Sequence, residues 1–151
     1  MANHSPAAGS ERRVFPARLE ILPEIAAFVE AWCSGRGVGA DHAVRLVLIV
    51  EELVTNTVMH GHGGMPDAPG ASVALTLLPH PRGIELVYED LAPRYDPTPR
   101  LMDAYAPIED EVEDRPVGGL GLRLVGQFAV ATRYAYEDGA NRLWLVVEAA
   151  A

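Results

Sequence analysis

The chain contains no lysine; all twelve of its basic residues are arginine. That absence removes a Walker A lysine, a Schiff-base lysine and a protein-kinase strand lysine together, so phosphate chemistry here rests on backbone amides, arginine or a metal ion. Cysteine is nearly as scarce. The single Cys33 excludes an internal disulfide, fits a reducing cytoplasm and reads as a small buried hydrophobe. No apolar run reaches the roughly 18 residues that a membrane span needs. The opening MANHSPAAGSERR has no apolar signal core, so residues 1–10 are expected to form a flexible tail on a cytoplasmic protein without a membrane partner. Positive charge is also in deficit. A net charge of −9 and a pI near 4.9 speak against a nucleic-acid partner, which needs a basic face. The acidic surface serves solubility and also suits a basic protein partner.

At 151 residues, with 49% hydrophobic and 22% charged side chains, the chain is expected to be one soluble domain over 11–151. ERRVFPARLE (11–20) reads as a first strand, on a sheet edge because Pro16 interrupts it. Apolar residues at 22, 25, 28, 29 and 32 mark a helix, with Pro23 tolerated in its first turn. SGRGVGA (34–40) punctuates the chain, and Asp41 is expected to cap a second helix running to about His60. This helix is apolar on most of its circumference, which predicts a central position. SVALTLLP and GIELVYED read as a hairpin joined by HPR, and the last segment reads as a second hairpin turning at EDGAN. Between them, 91–117 loses its periodicity, carries five prolines and includes EDEVED; a segment of that kind reads as a lid or as disorder. The order predicts an α+β fold: a two-layer sandwich with a mixed, mostly antiparallel sheet and helices on one face. Tight hairpins exclude a doubly wound sheet.

Three stretches carry candidate chemistry. In VEELVTNTVMHGHGG (50–64), Glu52, Asn56 and His60 recur every four residues and so share one helical stripe. A carboxylate and an amide oxygen there offer hard ligands for Mg²⁺, which takes one or two protein ligands plus substrate phosphates. A plain solvent-facing polar stripe is the alternative. VGGLGLRLV places Gly118, Gly119 and Gly121 at a helix start, where free N–H groups favour phosphate. Taken alone, it reads equally as a tight loop packing a helix on a sheet. Asp90, at the end of a strand in YEDLAPRYDP, can accept a hydrogen bond from an exocyclic amine such as that of adenine, or simply start a turn. Arg115 and Arg123 flank the glycines and read as surface charges. His60 and His62 form an H-x-H pair without a third ligand at motif spacing, a poor basis for zinc.

Together these stretches resemble the GHKL ATP-binding fold shared by histidine kinases, gyrase and MutL, and more narrowly the bacterial anti-sigma-factor serine/threonine kinases of partner-switching systems. The N box E-x-x-x-N-x-x-x-H-[GA] matches Glu52 to Gly61. The first glycine box matches Asp90-Leu91-Ala92, and the second, G-G-L-G-L, matches Gly118, Gly119, Leu120, Gly121 and Leu122. The resemblance implies ATP and Mg²⁺ as cofactors. It gives Asn56 the role of metal ligand, Glu52 that of general base, and Asp90 that of adenine acceptor. Gly119, Leu120 and Gly121 would present phosphate-binding N–H groups, and 97–117 would be the ATP lid. It implies as partners an antagonist protein carrying the phosphorylated serine or threonine, a sigma factor or similar regulator, and a second copy in a homodimer. One position departs from the pattern: Ala92 stands where the family has glycine. A positive φ there would cost an alanine about 1 kcal/mol, and its methyl would crowd the adenine pocket. Ala92 and EDEVED favour a second hypothesis, a module of the same fold that controls a partner by capture alone. Glu52 favours the kinase. A metal-dependent hydrolase resting on His60 and His62 is the remote third.

Overall fold

The computed structural model describes residues 8–61, 70–102 and 119–148. Its strands are β1 (Glu11–Pro16), β2 (Ser72–His80), β3 (Gly83–Asp90), β4 (Ala129–Glu137) and β5 (Ala140–Glu148). Its helices are α1 (Leu22–Ser34), α2 (Ala40–Asn56), α3 (Thr98–Met102) and α4 (Gly119–Phe128). The sheet order is β1-β2-β3-β5-β4, and each of the four pairings is antiparallel, so the expected mixed sheet is antiparallel throughout the described residues. Strand β1 does lie on the edge, and it ends at Pro16, earlier than the expected Glu20. Both hairpins form as expected. The second turns on Asp138 and Gly139 at φ 53° and 77°, the two positive values that a tight hairpin requires.

Alternation along the strands explains the core. Leu77, Leu86 and Leu145 are register partners across β2, β3 and β5, and all three are 0% exposed. Above them pack Phe28, Val29 and Trp32 of α1, Leu46, Ile49 and Leu53 of α2, and Val125 of α4. Each such side chain contributes about 1.5–3 kcal/mol by leaving water. Leu86→Ala empties the centre of the row and is expected to lower stability by about 2–5 kcal/mol, read as a lower urea midpoint at unchanged slope.

Helix α2 departs from its reading in three ways. It begins at Ala40 with Gly39 as the cap, so Asp41 sits inside the first turn, where its charge suits the dipole, and does not cap the helix. It is not buried all round: Val44 is 57% exposed and Leu48 49%, because α1 and α4 cover only part of its circumference. It also ends as an α-helix at Asn56 and continues over Thr57–Gly61 as one wide π turn. The Thr57 hydroxyl bonds back to the Leu53 carbonyl and to Tyr88 and Asp90 across the fold, pulling the turn out of α geometry. Among the described residues, no helix is long and apolar enough to cross a membrane.

Candidate functional site

The end of α2, the ends of β3 and β5 and the 91–97 connection enclose a cavity of about 790 Å³. Asn56, His60, Asp90, Ala92 and Leu122, five of the residues singled out by sequence, line it. Strand β3 delivers Asp90 as its last residue, with β5 opposite it at Asn141.

The Asp90 carboxylate is held by three donors. Oδ2 accepts the Thr57 hydroxyl at 2.8 Å; Oδ1 accepts the Ala92 N–H at 3.1 Å and the Asn141 amide at 2.8 Å. A carboxylate offers about four acceptor positions. Two on Oδ1 and one on Oδ2 are taken, which leaves a single acceptor position on Oδ2. Behind Thr57 stands Tyr88, whose hydroxyl is 2.6 Å from Thr57 Oγ1 and 3.2 Å from the Leu53 carbonyl. Burial, chiefly, and the nearby Asp90 charge push the Tyr88 phenol well above its ordinary range, so it enters the network as a neutral hydroxyl. With the Thr57 proton given to Asp90, the Tyr88 hydroxyl has Thr57 Oγ1 and the Leu53 carbonyl as its acceptors.

Ala92 adopts no positive φ, a conformation that Asp138 alone adopts among the described non-glycine residues. The strain expected of an alanine at this position is therefore absent. Its side chain is buried, and a Cβ built on Gly61 would come within 3.0 Å of the Ala92 Cβ. Gly61 thus makes the room that the Ala92 methyl fills. Gly61→Ala is expected to weaken ligand binding at this site severalfold by pushing the 91–97 connection, and Ala92→Gly in the same chain to restore it. Comparing single and double variants in one binding assay checks this coupling.

The other polar residues of the N box separate. Asn56 points into the cavity, and its Nδ2 is buried without a hydrogen-bond partner. Such a group costs about 1–3 kcal/mol while unpaired, which marks the position for a ligand. His60 sits on the π turn, exposed and at the rim. Glu52 does not line the cavity. Its carboxylate lies against the first turn of α4, where any Cβ at Gly121 would overlap it. Burial raises the Glu52 carboxyl above the ordinary glutamate range. Helix α4 begins at Gly119, so Gly119, Leu120 and Gly121 occupy its first turn, where N–H groups have no intrahelical acceptor. Gly121 is helical, and the reason for its missing side chain is Glu52. Gly118, His62, Arg115, EDEVED and 103–117 of the expected lid fall outside the described residues, as does the Arg123 side chain; of the lid, Pro97 and α3 are described.

Sequence reasoning missed Thr57, Tyr88 and Asn141, which hold Asp90, and Arg94 and Arg100, which line the cavity of a lysine-free chain. Thr57 and Tyr88 sit inside stretches already singled out. Asn141 carries no local signal, and its position follows only from the pairing of β3 with β5. Cys33 is buried, and burial pushes its thiol up, consistent with a packing role.

The profile of the histidine kinase-like ATPase domain matches residues 15–147. Serine/threonine-protein kinase BtrW of Bordetella bronchiseptica is 35% identical to this chain over 105 residues, covering 70% of each.

Proposed function

The chain belongs to the histidine kinase-like ATPase domain family, and on that premise we propose that it binds Mg²⁺–ATP and transfers the terminal phosphoryl group to a serine or threonine of a partner protein. The observation that carries this reading is the placement of Glu52. A half-buried carboxylate of raised pKa rests on the first turn of α4, one helical turn from Asn56. A protein that only captured its partner has no use for a base at that point.

The site then has two ends. At the base end, the one acceptor position left on Asp90 faces an exocyclic amine. At the phosphate end, the N–H groups of Gly119, Leu120 and Gly121 meet the triphosphate; Arg94 and Arg100 line the cavity and give its wall positive charge. The orphaned Asn56 amide fits a metal-bound triphosphate. Turning it about its last torsion exchanges Nδ2 for Oδ1, and one hard oxygen from the protein suits Mg²⁺. When bound, the ion neutralises charge on the transferring group. In the transfer itself, the acceptor hydroxyl oxygen forms the new bond to the γ-phosphorus. The bond to the β–γ bridging oxygen breaks, ADP leaves, and Glu52 takes the hydroxyl proton.

The partner in this reading is a small antagonist protein that carries the phosphorylated residue. A sigma factor or similar regulator is bound on another surface, and the setting is cytoplasmic. The relative's name, a serine/threonine-protein kinase, supports the acceptor class. The capture-only alternative loses the backbone-strain argument it drew from Ala92, since that residue has no positive φ; its place in the cavity lining remains. Incubation with labelled ATP, Mg²⁺ and a candidate antagonist protein is expected to place phosphoserine or phosphothreonine on that protein. Nucleotide binding with no transfer would leave the capture module as the function.

A further inference from the structure

Asn141 is the most heavily bonded polar side chain at the cavity, and it is 8% exposed. Its Oδ1 accepts the Tyr95 N–H at 3.0 Å and the Tyr134 hydroxyl at 2.5 Å. Its Nδ2 donates to Asp90 Oδ1 at 2.8 Å and is shared with the carbonyls of Ala92 at 3.0 Å and Pro93 at 3.1 Å. These partners allow one orientation of the amide. Turned over, its oxygen would face a carboxylate and two carbonyls, and its NH₂ would face two donors.

We propose that Asn141 is a positioning residue that makes the base end of the site selective for a 6-amino purine over a 6-oxo purine. The inference rests on the ATP-binding reading and deepens it. The selectivity comes from how many acceptor positions Asp90 has left. Asn141 and the Ala92 N–H fill Oδ1, and Thr57 fills half of Oδ2, so the carboxylate presents one lone-pair position. That position receives an N–H and repels a carbonyl. Without the Asn141 donor, Oδ1 has a vacancy and the carboxyl group is free to rotate, so its acceptor position is no longer held toward a 6-amino group. Asn141 also grips Tyr95, Ala92 and Pro93, so the same side chain fixes the connection that forms the wall beside Asp90.

The test compares ATP with inosine triphosphate, which carries oxygen in place of the 6-amino group, by calorimetry on the full chain. Asn141→Ala is expected to weaken ATP binding about tenfold while leaving inosine triphosphate within about twofold, so that the preference collapses. Equal weakening of both nucleotides would mean that Asn141 supports the fold and selects nothing; unchanged binding of both would also overturn the proposal. Asn141→Asp keeps the size of the side chain and serves if the alanine variant is unfolded. It replaces the Nδ2 donor to Asp90 by an acceptor oxygen, so it too is expected to weaken ATP more than inosine triphosphate, and equal weakening of both overturns the proposal. Wild type that binds neither nucleotide contradicts the ATP-binding reading itself, a result distinct from either failure above.

Discussion

Glu52→Gln leaves ATP bound and lowers phosphoryl transfer by a factor of about 10²–10⁴, the contribution of a positioned general base. Glutamine keeps the length of the side chain and its contact with the first turn of α4, so the phosphate end retains its shape. What it loses is the capacity to accept the hydroxyl proton. Gly121→Ala is a poor substitute for this test, because its methyl would overlap the carboxylate and displace both elements. The pH dependence adds a second signature. Burial raises the Glu52 carboxyl, and only the ionised form is a base, so the rate falls on the acid side at a pH above the ordinary glutamate range. The Gln variant has no such limb. Stability moves in the opposite sense. A carboxyl whose pKa is higher folded than unfolded favours the fold in its protonated form, and that contribution is lost as pH rises through the folded value. Glu52→Gln is therefore expected to melt above wild type at neutral pH, with the gap closing on acidification. Rates and melting curves over one pH series check both.

Asp90→Asn is the second large effect, and it acts at the other end of the cavity. The amide retains one oxygen, which the Ala92 N–H and the Asn141 amide hold in place. Its nitrogen then takes the position of Oδ2 beside Thr57, and the one acceptor vacancy becomes a donor. An incoming 6-amino group meets N–H against N–H. The loss of a charge-assisted bond together with that conflict is expected to weaken ATP about 100-fold, while inosine triphosphate gains. Titrating both nucleotides into the variant separates this outcome from general damage to the pocket, which would weaken the two alike.

Much of this arrangement is legible in the sequence because local chemistry decides it. HPR and Asp138-Gly139 fix two hairpins, alternation along β2, β3 and β5 names the buried face, and Glu52, Asn56, Asp90 and the glycines of α4 occupy motif positions. The even polar row over 50–64 is where local reasoning fails. Thr57 is drawn toward Tyr88 and Asp90, which are 31 and 33 residues away, and the π turn that results sends His60 to the rim. Glu52 stays on the α-helical stripe with Asn56, but its carboxylate lies against Gly121, on a helix 69 positions later in the sequence, and does not line the cavity. Ala92 looks like a defect until Gly61 is seen beneath its methyl. Asn141 stands in an ordinary hairpin strand and acquires its role only through the register that sets it opposite Asp90. The exposure of Val44 and Leu48 is likewise tertiary, since periodicity counts apolar faces and does not say how many are covered.

The central claim is that this cavity is an ATP site with Asp90 as its acceptor, and calorimetric titration of the wild-type chain with Mg²⁺–ATP, beside Asp90→Asn, tests it most directly. The account predicts saturable binding by wild type that the variant loses by about two orders of magnitude. Absence of binding by wild type at millimolar ATP, or equal affinities for the two proteins, would contradict it.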